Sequence, residues 1–339
     1  MIDLISDTVT RPSAGMKAAM MDAAVGDDVF KEDPSINELE SYAASLFGME
    51  AALFCPSGTM TNQIAVKLHT QPLDEIICES TAHIYQYETG AWAMHSGVSM
   101  KLVEGSHGIM DGKAVLSAIR DDQDWLPKTS MVALENTCNK AGGSYYTLSD
   151  IEPIYQVCQE KNLKLHLDGA RLFNAWVETR DNLKIYGNWF DSISICLSKG
   201  LGAPVGSLLL GSKEDIRQAR RIRKAFGGGM RQAGFLAAAG LYALQHHVER
   251  LSEDHAKSRQ LASAIEKKSF VTSIRPVRTN ILIFDLDPQW GTAADMIHLL
   301  HEKDIRVSAF GPQTIRMVTH LDVSPADIEE VIRVIQGMS

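Results

Sequence analysis

Between residues 51 and 211 the chain alternates short apolar runs with segments of helical spacing, and this alternation constrains its fold more than any other feature. The runs are "AALF" from Ala51, "EIICE" from Glu75, "MKLVEG" from Met100, "MVALEN" from Met131, "LKLHLDGA" from Leu163, "SISICL" from Ser192 and "SLLLG" from Ser207. The segments between them include "TLSDIEPIYQVCQEKN" from Thr147, which opens with Thr and Ser residues able to cap a helix. Strands alternating with helices argue for an α/β fold in which a seven-stranded, mostly parallel sheet is covered on both faces.

After "GGGMRQAGFLAAAGLYALQHHVERL" the pattern changes. A charged helix over roughly 248–268 leads to "NILIFDL" from Asn280, a helix near 292–303, "IRVSAF" from Ile305, "TIRMVTH" from Thr314 and a last helix from Ser324. The expected division is therefore a large domain over 1–247 and a small C-terminal α+β domain over 248–339. A chain of 339 residues with 45% hydrophobic and 22% charged side chains is large enough for both cores.

A net charge of -9 offers no general footprint for nucleic acid. The one basic run, "RQARRIRK" over 217–224, is predicted to form a helix with a solvated basic face. The start "MIDLISDTVTR" carries Asp3 and Asp7 and lacks an apolar signal core, and no run approaches the ~20 residues of a membrane span. The expectation is a cytoplasmic protein with neither nucleic-acid nor membrane partners. Cys55, Cys78, Cys138, Cys158 and Cys196 are scattered without zinc-ligand spacing, so they are read as reduced and structural and no metal is expected.

In open parallel sheets ligands bind beyond the carboxyl ends of the strands, and three polar groups fall there. "PSGTMTNQ", 56–63, reads as a turn feeding a helix whose first N–H groups, from Gly58, Thr59 and Met60, can bind phosphate, although Ser-Gly-Thr is also an ordinary cap. Asp168 in "HLDGAR" ends an otherwise apolar strand, where an unpaired carboxylate is costly. Its partner is a pyridinium N–H or, structurally, Arg171. Lys199 in "ICLSKGLGAPVG" stands among small and apolar residues, and a lysine in such a setting loses hydration and becomes a usable amine nucleophile. A phosphate cradle, a strand-end aspartate and a strand-end lysine together suit pyridoxal 5'-phosphate, with Lys199 bound to the aldehyde as a Schiff base.

Long stretches also resemble one family. "DTVTRPS", "GDDVFKEDPSINELE", "PSGTMTNQ", "LHLDGARLFNAW", "CLSKGLGAPVGSLLLG", "GGGMRQAGFLAAAG" and "IRMVTHLDVS" are similar to the low-specificity L-threonine aldolases of the aromatic amino acid beta-eliminating lyase/threonine aldolase family. The resemblance implies the aspartate-aminotransferase-like fold (type I), a homotetramer with active sites shared between subunits, and retro-aldol cleavage of L-threonine or L-allo-threonine to glycine and acetaldehyde. It also implies residue roles. Lys199 would carry the cofactor, Asp168 would meet the ring nitrogen, His83 would stack on the ring, and Gly58 and Thr59 would hold the phosphate. Arg171, Arg316 and Ser6 would hold the substrate carboxylate. Arg231 would reach a neighbouring subunit's phosphate, and Glu88 would lie near the substrate hydroxyl.

The chain departs from the family in places. Trp125 in "DQDWLPKTS" stands where the family commonly has a histidine at the substrate hydroxyl, Cys138 in "LENTCN" also replaces a histidine, and Phe30 and Lys31 replace Tyr-Gly. If Trp125 borders the substrate, the base is left to His83, Asp124, Glu88 or water, and larger β-substituents are favoured. The alternatives are a lyase of the same family acting on another β-substituted amino acid, and a non-catalytic relative keeping the fold. Retention of Lys199, Asp168 and both arginines argues against the latter.

Overall fold

A computed structural model describes residues 1–338. Its strands, in chain order, are β1 (Ile2–Asp3), β2 (Ala51–Cys55), β3 (Asp74–Glu79), β4 (Ser99–Val103), β5 (Lys128–Glu135), β6 (Lys164–Asp168), β7 (Ser192–Cys196) and β8 (Ser207–Gly211). The C-terminal region adds β9 (Val271–Ile274), β10 (Ile281–Leu286), β11 (Ile305–Arg306), β12 (Ser308–Ala309) and β13 (Thr314–Val318). All seven apolar runs become strands of one sheet, in the order β2-β8-β7-β6-β5-β3-β4. From β7 to β4 neighbouring strands are parallel; β8 alone runs against both of its neighbours.

The register gathers the strand ends. Ser207 at the start of β8 stands opposite Cys55 on one side and Cys196 on the other, so the loops after β2 and β7 leave the sheet side by side. Asp168 stands opposite both Glu135 and Ser194. One edge of the sheet therefore carries the ends of β2, β5, β6 and β7, as parallel strand order requires.

Helices cover both faces. Leu167, Ile193, Ile195 and Leu208 are buried in the main core with Phe47 and Leu39 of the helix Pro34–Phe47, whose first turn is capped by Asp33, Oδ1 accepting from the Ile36 N–H at 3.1 Å. The helix Gly58–His69 packs on the other side, with Ile64 and Ala65 against Leu53 and Leu209. The expected helix after Thr147 runs Leu148–Lys161 and starts with a capping box.

The C-terminal region forms an antiparallel sheet in the order β12-β13-β10-β9, backed by the helices Leu251–Ile265, Ala293–His301 and Pro325–Gln336. Val271–Ile274 had no expected strand, because two of its four residues face water and its apolar signal is weak. The chain start differs from the expected division. Ile2–Asp3 pairs in parallel with β11, and Leu4 is buried in the C-terminal core, so the first residues join the second unit.

The basic run also differs from expectation. It lies on the helix Lys213–Ala225, but its basic face is only partly in solvent. Arg223 is buried, donating to the Phe54 carbonyl at 2.6 Å and to Asp28 at 2.5 Å, while Arg220 pairs with Glu40 and Asp28. Buried carboxylates there need cationic partners, and even so burial pushes Glu40 up to about 7. Among the described residues no helix is long and apolar enough to cross a membrane.

Candidate active site

At the gathered strand ends lies a cavity of about 140 Å³, bordered by Gly58, Thr59, Asn62, His83, Asp168 and Lys199. Ser57 caps the helix at its mouth, its Oγ accepting from the Met60 N–H at 3.2 Å. Of the three N–H groups expected to bind phosphate, Met60 is thus engaged locally, while Gly58 and Thr59 stand at the cavity. A Cβ on Gly58 would come within 2.6 Å of Cys196 Sγ, so the close approach of the two loops requires glycine.

Asp168 is 3% exposed and has no salt bridge. Its Oδ2 accepts from Asn62 Nδ2 at 2.8 Å and its Oδ1 from the Ala170 N–H at 3.2 Å. Arg171 does not serve it. Arg171 instead donates through Nε and Nη2 to Asp7 at 2.8 and 2.6 Å. Arg171 and Lys199 together hold the Asp7 carboxyl below the usual range, against the opposing effect of its complete burial. A buried carboxylate without a cation, an amine at Lys199 and open backbone donors at Gly58 and Thr59 form a donor set that fits pyridoxal phosphate.

His83 borders the cavity with its Nδ1 3.2 Å from Glu88 Oε1. Glu88 lies deeper than the resemblance implied. It is 1% exposed, Oε1 also accepts from Asn62 at 2.8 Å, and Oε2 accepts from Gln63 at 2.6 Å. With both oxygens so engaged, Glu88 meets the cavity through His83 and does not border it. Burial, reinforced by Asp168, raises the Glu88 carboxyl; burial pulls His83 down, but Glu88 and Asp168 raise it overall. The pair is placed to hold one proton between them.

Arg316 on β13 enters from the C-terminal unit. Nη1 donates to Asn139 Oδ1 at 3.0 Å, Nη2 donates to the Ile5 carbonyl at 2.9 Å, and the guanidinium lies 4.4 Å from the centre of the Phe310 ring. Its Nε is buried with no partner, and among the described residues no carboxylate lies within ion-pair distance of it. Burial and the charge of Arg171 lower it to about 10. Ser6, between Ile5 and Asp7, caps a short turn, its Oγ accepting from the Thr8 hydroxyl at 2.9 Å.

Two expected residues lie elsewhere in the chain. Trp125 is 78% exposed and precedes β5, whereas the cavity lies beyond the carboxyl ends. The eight residues of β5 extend about 25 Å, which separates Trp125 from this site. Arg231 is exposed, pairs with Asp27 at 2.8 Å and does not border this cavity. Cys138 is buried, its thiol donating to the Glu135 carbonyl at 3.2 Å.

Sequence reasoning missed three residues. Asn62 lies one helical turn after Gly58 and so shares its face, a signal already present in "PSGTMTNQ". Glu135 ends β5 as Asp168 ends β6, and it accepts the N–H groups of His83 at 3.1 Å and Asn139 at 3.2 Å. Asp7, the partner of Arg171, had no local signal, because their contact joins residues 164 apart.

Fold and donor set define a pyridoxal-phosphate enzyme of fold type I. The threonine aldolase of Leishmania major has the same fold, with a TM-score of 0.84, 20% identity and 99% of each chain covered. The chain belongs to the beta-eliminating lyase family, which it matches over residues 3–289. Its relatives include the low specificity L-threonine aldolase of Escherichia coli O157:H7, 41% identical, covering 98% of this chain and 97% of the relative. A probable low-specificity L-threonine aldolase of Arabidopsis thaliana is 40% identical, covering 98% and 95%.

Proposed function

We propose that this protein is an L-threonine aldolase, cleaving L-threonine, L-allo-threonine and related β-hydroxy-α-amino acids to glycine and an aldehyde. The observation that carries this reading is the second arginine. Arg316 is a buried guanidinium with an unpaired Nε and, among the described residues, no ion-pair partner, placed near Arg171 and near Asp7, whose carboxylate also feels Lys199. A buried cation in that state is stabilised by an anionic ligand, and an amino-acid carboxylate fits its planar donors.

Bound pyridoxal phosphate supplies an electron sink for the pair released at the α-carbon. Lys199 would hold its aldehyde carbon, Gly58 and Thr59 its phosphate, and Asp168 the proton on its ring nitrogen. Arg316 orients the substrate through its carboxylate, which sets the bond to be cleaved relative to the ring. Arg171, already clamped by Asp7, adds positive charge beside it. His83 has Nδ1 turned to Glu88, which leaves Nε2 to accept the β-hydroxyl proton, with Glu88 stabilising the resulting charge.

Further parts of the reading concern the assembly. The protein acts in the cytoplasm as a homotetramer sharing sites between subunits; support comes from Arg231, exposed here and in a motif that resembles the family's phosphate-binding segment. The 1–247 and 248–339 division is kept, with Ile2–Leu4 carried on the second unit. Release of glycine and aldehyde from a panel of β-hydroxy amino acids tests the activity. Cleavage of none of them would overturn it.

A further inference from the structure

Behind the cavity a line of polar groups, buried except for the half-buried His69, runs along the inner face of the helix Gly58–His69. His69 Nε2 lies 2.9 Å from Ser192 Oγ, Ser192 Oγ lies 2.8 Å from His166 Nδ1, and His166 Nε2 lies 3.2 Å from Asn62 Oδ1. Asn62 Nδ2 then donates to Asp168 Oδ2 and Glu88 Oε1, both at 2.8 Å. Sequence periodicity makes the line possible. Asn62 and His69 are seven residues apart on one helix face, His166 and Asp168 lie on one face of β6, and Ser192 is the strand partner of His166.

The line has only one consistent direction. Two carboxylate oxygens face Asn62 Nδ2, so both amide hydrogens point to them and Oδ1 must face His166. Oδ1 only accepts, so His166 carries its hydrogen on Nε2. Burial lowers His166 to about 4, so at neutral pH it is uncharged and Nδ1 accepts from the Ser192 hydroxyl. Ser192 Oγ in turn accepts from His69 Nε2. Every donor in the line therefore points towards the two carboxylates.

We propose that His166 is a positioning residue that acts through Asn62, holding the carboxamide with both N–H groups on Asp168 and Glu88 so that Asp168 stays oriented for the cofactor ring nitrogen. Without His166 the Asn62 oxygen loses its donor, and only the two carboxylates then hold the carboxamide. Its plane can swing about the side-chain bond, so the N–H bond that fixes Asp168 Oδ2 becomes longer and less aligned. This inference rests on the pyridoxal-phosphate reading, and the test separates the two.

The test compares the affinity of the apo-protein for pyridoxal phosphate with that for 1-deazapyridoxal phosphate, in which carbon replaces the ring nitrogen. Wild type should prefer the nitrogen-bearing cofactor; no preference would refute the role of Asp168 itself. His166→Leu should lower that preference about tenfold, the loss of one buried hydrogen bond to a charged acceptor, while leaving deaza-cofactor binding unchanged. His166→Gln keeps a donor towards Asn62 and an acceptor towards Ser192, and should retain the wild-type preference. If His166→Leu fails to fold, Ser192→Ala removes the donor to Nδ1 and should lower the preference about threefold. Equal weakening of both cofactors, or an unchanged preference in the folded variants, would overturn the inference, because a merely structural histidine does not distinguish nitrogen from carbon in the ring.

Discussion

On the proposed reading Arg316 is buried to bind a substrate carboxylate and not to hold the fold, and Arg316→Met separates the two. The native state lowers its affinity for its proton from the ordinary arginine range to about 10. At about 1.36 kcal/mol per tenfold, the charge opposes folding by about 3 kcal/mol at any pH well below 10. Against this stand the hydrogen bonds to Asn139 and Ile5, roughly 1 kcal/mol each, and the contact with Phe310. Methionine keeps the apolar stem and removes the charge, so the apo-protein should melt at the same temperature as wild type or a few degrees higher. Substrate binding should suffer instead. A charge-assisted pair of hydrogen bonds to a carboxylate is worth about 3 to 4 kcal/mol, so kcat/KM for L-threonine should fall by about 10²- to 10³-fold, through both KM and kcat. Steady-state kinetics and calorimetry on the same preparation read both quantities. An unchanged kcat/KM would remove Arg316 from the site, and a melting temperature lowered by several degrees would show that Arg316 mainly ties Ile5 to Asn139.

Lys199→Ala should abolish the yellow colour and the borohydride-fixed cofactor adduct of the purified protein, and an adduct mapped to another lysine would refute that assignment. Trp125→His should leave kcat/KM and the threonine-to-phenylserine ratio unchanged within about twofold, given its exposure at the far end of β5; a large rise would mean that this loop serves a neighbouring subunit's site. Burial first, then the charge of Asp168, raises Glu135 to about 7 from an ordinary value of 4.5, so the folded protein binds a proton there that the unfolded chain releases. Stability from this group is therefore present below about pH 4.5 and is lost as pH rises to 7, and urea unfolding should show wild type losing about 2 to 3 kcal/mol relative to Glu135→Gln across that interval. A parallel pH dependence of the two proteins would remove Glu135 as its source.

Much of the molecule can be read from residues close together in the chain, because local periodicity is what distinguishes strand from helix. The seven apolar runs, the capped helix after Thr147 and the polar residues at the ends of β2, β6 and β7 are all local patterns, and they sufficed for the sheet and for Gly58, Asp168 and Lys199. Matching motifs over most of the chain supplied the family. What the sequence left open depends on contacts between distant residues. Arg171 faced two candidate partners until the fold brought Asp7 to it, and Glu88, expected near the substrate hydroxyl, lies behind His83 because Asn62 and Gln63 enclose its carboxylate. Trp125 was expected at the substrate from its match to a histidine common in the family, yet strand direction sets it at the opposite end of β5. Side-chain pairing is set by which strands neighbour one another and by where the ends of the chain return, and in this protein those relations join Ile5 to Arg316, 311 residues apart, and Asn62 to His166, 104 apart.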